Sequence, residues 1–223
     1  MHHPSHHSSH HPPRLLLPLT TLLDLSISLT LVALFTASYT HHFRTILWQT
    51  GGTQGWNSDP QQRIYDYANY RSIPPIPLLW DENSSLEHLS LAVTILFTCV
   101  LRARLNTLKS HTLDLYAALA TNALYDALLA ALCIASAVLQ SAPDLSDPEH
   151  LSASPWYLER GCADVCVCAR SACRVMRASY GVAVFAAMWF CARCGVTCVY
   201  AAYRLGRDHQ ARDGVGCGCD EYI

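Results

Sequence analysis

The feature that most constrains this chain is a set of four long apolar blocks, covering residues 15–40, 86–105, 113–140 and 178–205. A helix of about 20 apolar residues crosses the ~30 Å hydrocarbon layer of a bilayer. Unpaired backbone groups cost several kcal/mol each in lipid, so spans of this length must be helical. The sequence therefore predicts an all-α protein, a four-helix transmembrane bundle over residues 15–207 with two long extramembrane loops.

The composition supports a membrane protein and argues against several other classes. Only 14% of the residues are charged, about half the share usual in soluble domains. The net charge of −2 and the lack of basic runs argue against a nucleic-acid partner. The chain shows no phosphate-binding loop, nucleophile elbow or zinc-protease helix. We therefore predict no enzymatic activity, cofactor or metal site, and partners limited to the bilayer and to membrane proteins, including further copies of the chain.

Two tails flank the predicted membrane domain. Residues 1–14 are rich in His, Ser and Pro and are expected to be disordered, binding metal only adventitiously. Residues 208–223 form the second tail, where Cys217 and Cys219 are candidates for S-acylation if the tail is cytoplasmic. A cleaved signal peptide remains an alternative for the first block, because Ala37 and Ser38 are small.

The connection between the second and third blocks predicts the topology. It is short and carries Arg102, Arg104 and Lys109, which the positive-inside rule assigns to the cytoplasm. With four spans, both termini are then cytoplasmic as well. The expected location is the plasma membrane or an endomembrane.

The loop between the first two blocks is unusually aromatic. It opens at Gly51-Gly52, which is expected to stop any extension of the first helix. Its rings are predicted to anchor the loop at the level of the lipid headgroups, with a recognition surface as the alternative. They belong to Trp48, Trp56, Tyr65, Tyr67, Tyr70 and Trp80.

Ionisable residues inside the blocks are the clearest candidate site. Asp126 and Arg193 lie near the middle of their blocks, where an unpaired charge costs at least ~2.5 kcal/mol. An ion pair between them would fix which helices face each other. Asp24 is expected closer to the membrane surface. A proton or ion pathway through Asp126 and Arg193, in a small transporter or channel, is the alternative.

Several segments between residues 86 and 205 carry a family resemblance. They are YDALLAAL at 125–132, SDPEH at 146–150, PWYLERGC at 155–162 and Cys173-Arg174 before the last block. With these segments the chain resembles uncharacterised four-span fungal membrane proteins that are similar to the MARVEL group. The resemblance implies a structural role in membrane organisation or vesicle trafficking. It also implies a loop disulfide between Cys162 and Cys173, although the additional Cys166 and Cys168 leave other pairings open.

A second resemblance offers a catalytic alternative. Cys191 and Cys194 lie three residues apart in the last block, on one face of a helix. A four-span bundle with such a pair is similar to the vitamin K epoxide reductase group, which implies a membrane thiol oxidoreductase. Small cysteines that fill a tight helix interface are the structural alternative.

Overall fold

The computed structural model describes residues 16–73, 75–108 and 115–216. The His-rich tract, Lys109, Cys217 and Cys219 lie outside the described residues. Seven helices are present in the described chain, four of them long. They are α1 (Leu16–Thr40), α2 (Phe43–Thr53), α3 (Pro60–Ala68), α4 (Glu82–Leu108), α5 (Leu115–Gln140), α6 (Trp156–Glu159) and α7 (Val167–Gly216).

The four long helices are long and apolar enough to cross a membrane. This confirms the predicted all-α architecture, and the described residues contain no strand beyond one isolated bridge between Asp144 and Ser152. Helix α5 packs along α7 and α1 packs along α4, while α1–α7 and α4–α5 contacts close the ring. The chain is therefore a multi-pass membrane bundle in which every span touches two others.

Helices α4 and α7 both extend beyond the predicted blocks: α4 covers Glu82–Leu108 where residues 86–105 were predicted, and α7 covers Val167–Gly216 where residues 178–205 were predicted. Arg102, which was expected both to end the second block and to begin the short connection, lies inside α4. Helix α7 has 50 residues, about 75 Å at 1.5 Å per residue, and a bilayer needs only about 20. It therefore projects beyond the bilayer, and residues 208–216 are helical where the sequence analysis placed a separate tail.

Small and aliphatic side chains fill the interior of the bundle. Each of the four long helices contributes to one buried cluster. Its members are Ile27, Leu31, Phe35, Ala92, Ile95, Cys99, Leu129, Ala130, Cys133, Ala183, Ala186, Ala187 and Phe190. The alanines let neighbouring helices approach closely, which is how membrane helices gain packing energy.

The two long loops fold together into one lobe on the loop side of the bundle. This loop-side lobe comprises residues 43–73, 75–81 and 141–166 and rests on the first turns of α7. Its buried cluster joins Trp48, Trp80, Trp156 and Tyr157 to Ala169 and Met176 of α7. The expectation of headgroup anchors is therefore wrong for Trp48 and Trp80, which form the core of the lobe. Tyr65, Tyr67 and Tyr70 remain exposed.

Gly51 and Gly52 lie inside α2, so they do not end a helix as the sequence analysis expected. Helix α1 ends at Thr40, and His42 adopts a left-handed conformation before α2. A Cβ at Gly51 would lie 1.5 Å from Asn57 Oδ1 and 2.6 Å from Trp156 Nε1. Gly51 is therefore required because the Asn57 side chain and the Trp156 ring both pack directly on the α2 backbone, where Trp156 Nε1 donates to the Leu47 carbonyl at 3.1 Å.

Candidate functional site in the membrane interior

Four charged side chains, one from each long helix, meet inside the bundle. We call Asp24, Arg102, Asp126 and Arg193 the ionic quartet. Arg193 Nη1 lies 2.6 Å from both carboxylate oxygens of Asp24, and its Nη2 lies 3.2 Å from Asp126 Oδ1. Arg102 donates to both oxygens of Asp126. The Arg102 Nη1 atom also lies 3.9 Å from Asp24 Oδ2.

The quartet is buried and electrically balanced. The Asp126 side chain is 1% exposed, and that of Arg193, the most open of the four, is 17% exposed. Two positive charges face two negative charges, so the group has no net charge. Because an unpaired buried charge is very costly in a bilayer, the four residues stabilise one another only when all four helices are in place.

The structure brings Asp126 and Arg193 together, as the sequence analysis expected, but it adds two residues to them. Asp24 was expected nearer the surface and Arg102 in a loop, and both are buried in the quartet. The signal for Arg102 is its position: it directly follows the apolar run of α4, nearly two turns before the helix ends. A long side chain can reach back into the bundle from there.

Aromatic rings complete the surroundings of Arg193. Trp189 Nε1 donates to Asp24 Oδ1 at 3.0 Å. The Arg193 guanidinium lies 5.7 Å from the Trp189 ring centroid and 5.9 Å from that of Phe190. Contacts of a cation with ring faces lower the cost of burying it.

A cavity of about 350 Å³ adjoins the quartet between α5 and α7. Its walls include Arg102, Asp126 and Arg193, and Asn122 and Thr197 add polar groups to an otherwise apolar lining. One side of the ionic quartet therefore faces a cavity that has room for a small polar group within the bilayer.

A second polar layer lies nearer the lobe. Ser179 Oγ donates to Gln140 Oε1 at 2.9 Å, and Gln140 Nε2 lies 3.3 Å from Ser136 Oγ. His88 Nδ1 lies 3.2 Å from the same hydroxyl oxygen. These contacts tie α4, α5 and α7 together at the level where the bundle meets the lobe.

One buried carboxylate organises the lobe. Asp144 is 1% exposed, and its Oδ2 accepts hydrogen bonds from Ser58 N, Ser58 Oγ and Trp80 Nε1 at 3.2, 2.7 and 2.9 Å. Its Oδ1 accepts from the backbone and hydroxyl of Ser146 at 3.2 and 2.8 Å. The side chain thus joins the two long loops.

Tyr157 lies where the lobe meets the bundle, and its hydroxyl donates to the Gln140 carbonyl at 3.3 Å. Burial raises the pKa of Tyr157 to about 12, although the nearby Arg44 guanidinium acts in the opposite direction. A phenol with a raised pKa stabilises the fold fully below its unfolded pKa of about 10 and loses that contribution as the pH rises toward 12.

We therefore expect the protein to lose about 2 to 3 kcal/mol of folding free energy between pH 10 and pH 12 through Tyr157. Unfolding of the purified protein in detergent, followed by tryptophan fluorescence across this range, measures the effect. Tyr157→Phe should flatten the pH dependence, whereas Tyr70→Phe, at a fully exposed ring, should leave it unchanged. If the free energy of unfolding fell equally with pH in Tyr157→Phe and in Tyr70→Phe, Tyr157 would not be the source of the pH dependence.

The cysteines fall into distinct environments. The structure joins Cys162 to Cys173, with Cα atoms 5.7 Å apart, and this bond in the native protein stays a prediction. Cys191 and Cys194 are both free; Cys191 is exposed on the outer surface of α7, and Cys194 Sγ contacts the Ala123 carbonyl at 3.6 Å. The oxidoreductase alternative also stays a prediction.

No family model, no curated protein and no solved structure matches this chain. Two features stand out in the described chain: the quartet that joins the four spans, and the outward faces that the spans present to the bilayer.

Proposed function

We propose that the protein acts structurally, as a membrane organiser that packs laterally against further copies of itself and against lipid. The MARVEL-like resemblance implies the same class of role, in trafficking or in membrane domains. A bundle that serves as a packing unit needs a rigid interior and an outer surface suited to contact between helices. The quartet meets the first requirement because it couples all four spans.

The observation that carries the proposal is a shallow apolar groove on the outer face of α7. We call it the α7 groove. It is lined by Ala192, Gly195, Val196, Val199, Tyr200 and Tyr203. A Cβ at Gly195 would meet no atom of the described chain within 4 Å. The small residues of the α7 groove, Ala192 and Gly195, let a second membrane helix approach closely. Packing of this kind drives helix association in lipid.

The quartet favours a scaffold over a conducting path. Each of its charges already faces a charge of opposite sign within 4 Å. A proton or ion pathway needs groups that change partners during transport, and breaking these contacts would leave buried charges uncompensated. The interior is therefore better suited to holding the spans than to moving a solute.

The test is self-association of the full-length protein in lipid vesicles. We expect energy transfer between donor- and acceptor-labelled copies that rises with protein density in the bilayer. Gly195→Leu should weaken this association by about tenfold or more, because the leucine side chain fills the α7 groove and keeps the second helix away.

Gly181→Leu is the matched control. A Cβ at Gly181 also meets nothing within 4 Å, and Gly181 lies on the same helix about four turns before Gly195. The control should associate like the unchanged protein. Energy transfer that is independent of density, or equal in the two variants, would contradict self-association through α7.

The cavity beside the quartet makes a small transporter or channel the second candidate. It places a space of about 350 Å³ against Asp126 and Arg193. In the same vesicles, a proton or ion flux carried by the unchanged protein would favour transport. No flux through the unchanged protein would leave the structural role as the better account.

A further inference from the structure

Two free thiols lie at the start of α7, outside both the ionic quartet and the α7 groove. Cys166 immediately precedes α7 and Cys168 is its second residue. Both are exposed and unbonded. Val167 between them is 80% exposed. The Cys166–Cys168 pair therefore projects from the loop-side lobe into the surrounding solution.

The position of Cys166 favours its thiolate. Its carbonyl accepts from the backbone N–H groups of Ala169 and Arg170, each at 3.1 Å, so Cys166 caps the helix. The unpaired N–H groups and the dipole of a helix N-terminus stabilise a negative charge there. The pKa of Cys166 is lowered, first by a hydrogen bond with the Cys168 thiol and then by one from the Ala169 N–H. A lowered pKa at a helix N-terminus is characteristic of reactive cysteines.

The two sulfurs can bond without large movement of the backbone. Residues separated by one other are at most about 7 Å apart at Cα even in an extended chain, and disulfides span Cα distances up to about 6.8 Å. The helical turn at Cys168 shortens the distance further. In the structure Cys162 is bonded to Cys173, whose side chain is fully buried, so neither is free to pair with Cys166 or Cys168.

We propose that Cys166 and Cys168 form a redox-active dithiol that exchanges with low-molecular-weight disulfides on the loop side of the membrane. In the first step the Cys166 thiolate attacks one sulfur of the small disulfide, forming a mixed disulfide and releasing one small thiolate. In the second step the Cys168 thiolate attacks Cys166 Sγ, forming the Cys166–Cys168 bond and releasing the second small thiolate.

The reaction is balanced. The protein dithiol gives up two electrons and its two thiol protons, and the small disulfide is reduced to two small thiols. A bond across a single intervening residue is strained, which makes it easier to reduce. The pair is therefore suited to reversible exchange, whereas Cys173 of the Cys162–Cys173 pair is buried.

The test uses the full-length protein in lipid nanodiscs, treated with oxidised glutathione, quenched with an alkylating reagent and analysed by intact mass and peptide mapping. The unchanged protein should gain a Cys166–Cys168 disulfide and retain no glutathionyl group in the loop. Cys168→Ser should retain one glutathionyl group on Cys166, because the resolving thiol is missing.

In Cys166→Ser, Cys168 should react with oxidised glutathione about tenfold more slowly than the unchanged protein does, because the thiolate at the helix N-terminus is lost. Cys198→Ser, at an exposed cysteine on the membrane part of α7, is the matched control and should behave like the unchanged protein. All variants alter exposed side chains, and equal melting temperatures verify that they fold.

Two results would overturn the proposal. One is a Cys168→Ser protein without an adduct on Cys166. The other is an unchanged protein that keeps stable glutathionyl groups on both thiols, or in which peptide mapping links Cys166 to Cys162.

Discussion

Replacing Asp126 by asparagine is expected to lower the free energy of unfolding by about 3 to 5 kcal/mol, the cost typical of removing one partner from a buried ion pair. Asparagine has nearly the same shape, so the change removes charge and little else. Arg102 and Arg193 would then share a single carboxylate, that of Asp24, and the quartet would carry one uncompensated positive charge inside the bundle. Unfolding in mixed micelles, followed by circular dichroism, measures the loss.

Removing an opposite pair of charges should cost much less than removing one. The double variant Asp126→Leu with Arg102→Met leaves Asp24 and Arg193 paired at 2.6 Å, and apolar side chains fill the remaining space. Replacing a buried ion pair by well-packed apolar residues is often neutral or stabilising. We therefore expect the double variant to regain at least half of the stability lost in Asp126→Asn.

Asp164→Asn, at an exposed loop residue, is the matched control and should change stability by less than about 0.5 kcal/mol. A double variant less stable than Asp126→Asn would show that the apolar pair packs worse than the charged one. A single variant as stable as the unchanged protein would contradict the role of the quartet in holding the spans.

The membrane architecture could be predicted because it depends on local chemistry alone. Apolar blocks of sufficient length must be helices in lipid, and this holds without knowledge of their neighbours. The pairing of Asp126 with Arg193 followed from the cost of an isolated charge. The part played by Arg102 could not be predicted in the same way. Its position near a helix end is compatible both with a cytoplasmic loop and with a side chain that reaches inward.

The loop-side lobe was beyond the reach of sequence patterns for a different reason. Trp48 and Trp80 occur in a polar stretch with no clear helical or strand period, and interfacial anchoring was the simplest interpretation. Their burial depends on contacts made far along the chain, with Trp156 and Asp144 on the second long loop. Such contacts between loops leave no periodic signal in either segment.

Asp144→Ala is expected to destabilise the loop-side lobe by about 3 kcal/mol or more. Truncation leaves the Ser58 N–H and the Trp80 Nε1–H buried without an acceptor, and each unsatisfied donor costs about 1 to 3 kcal/mol. Ser146 loses an acceptor as well. Near-ultraviolet circular dichroism, which reports the packing of tryptophan rings, should show the loss before the helical signal of the spans declines.

Asp144→Asn and Trp80→Phe separate the hydrogen bonds from the packing. The amide of asparagine can keep its oxygen toward Ser58 and Trp80, but its NH₂ group then faces the Ser146 N–H, so we expect a loss of about 1 to 3 kcal/mol. Trp80→Phe removes a single donor to Asp144 and part of a ring, and it should leave both hydrogen bonds from Ser58 intact. If Asp144→Ala were no more destabilising than Asp144→Asn, the carboxylate would not be what joins the two long loops. The lobe would then depend on the packing of Trp156 and Tyr157 against α7.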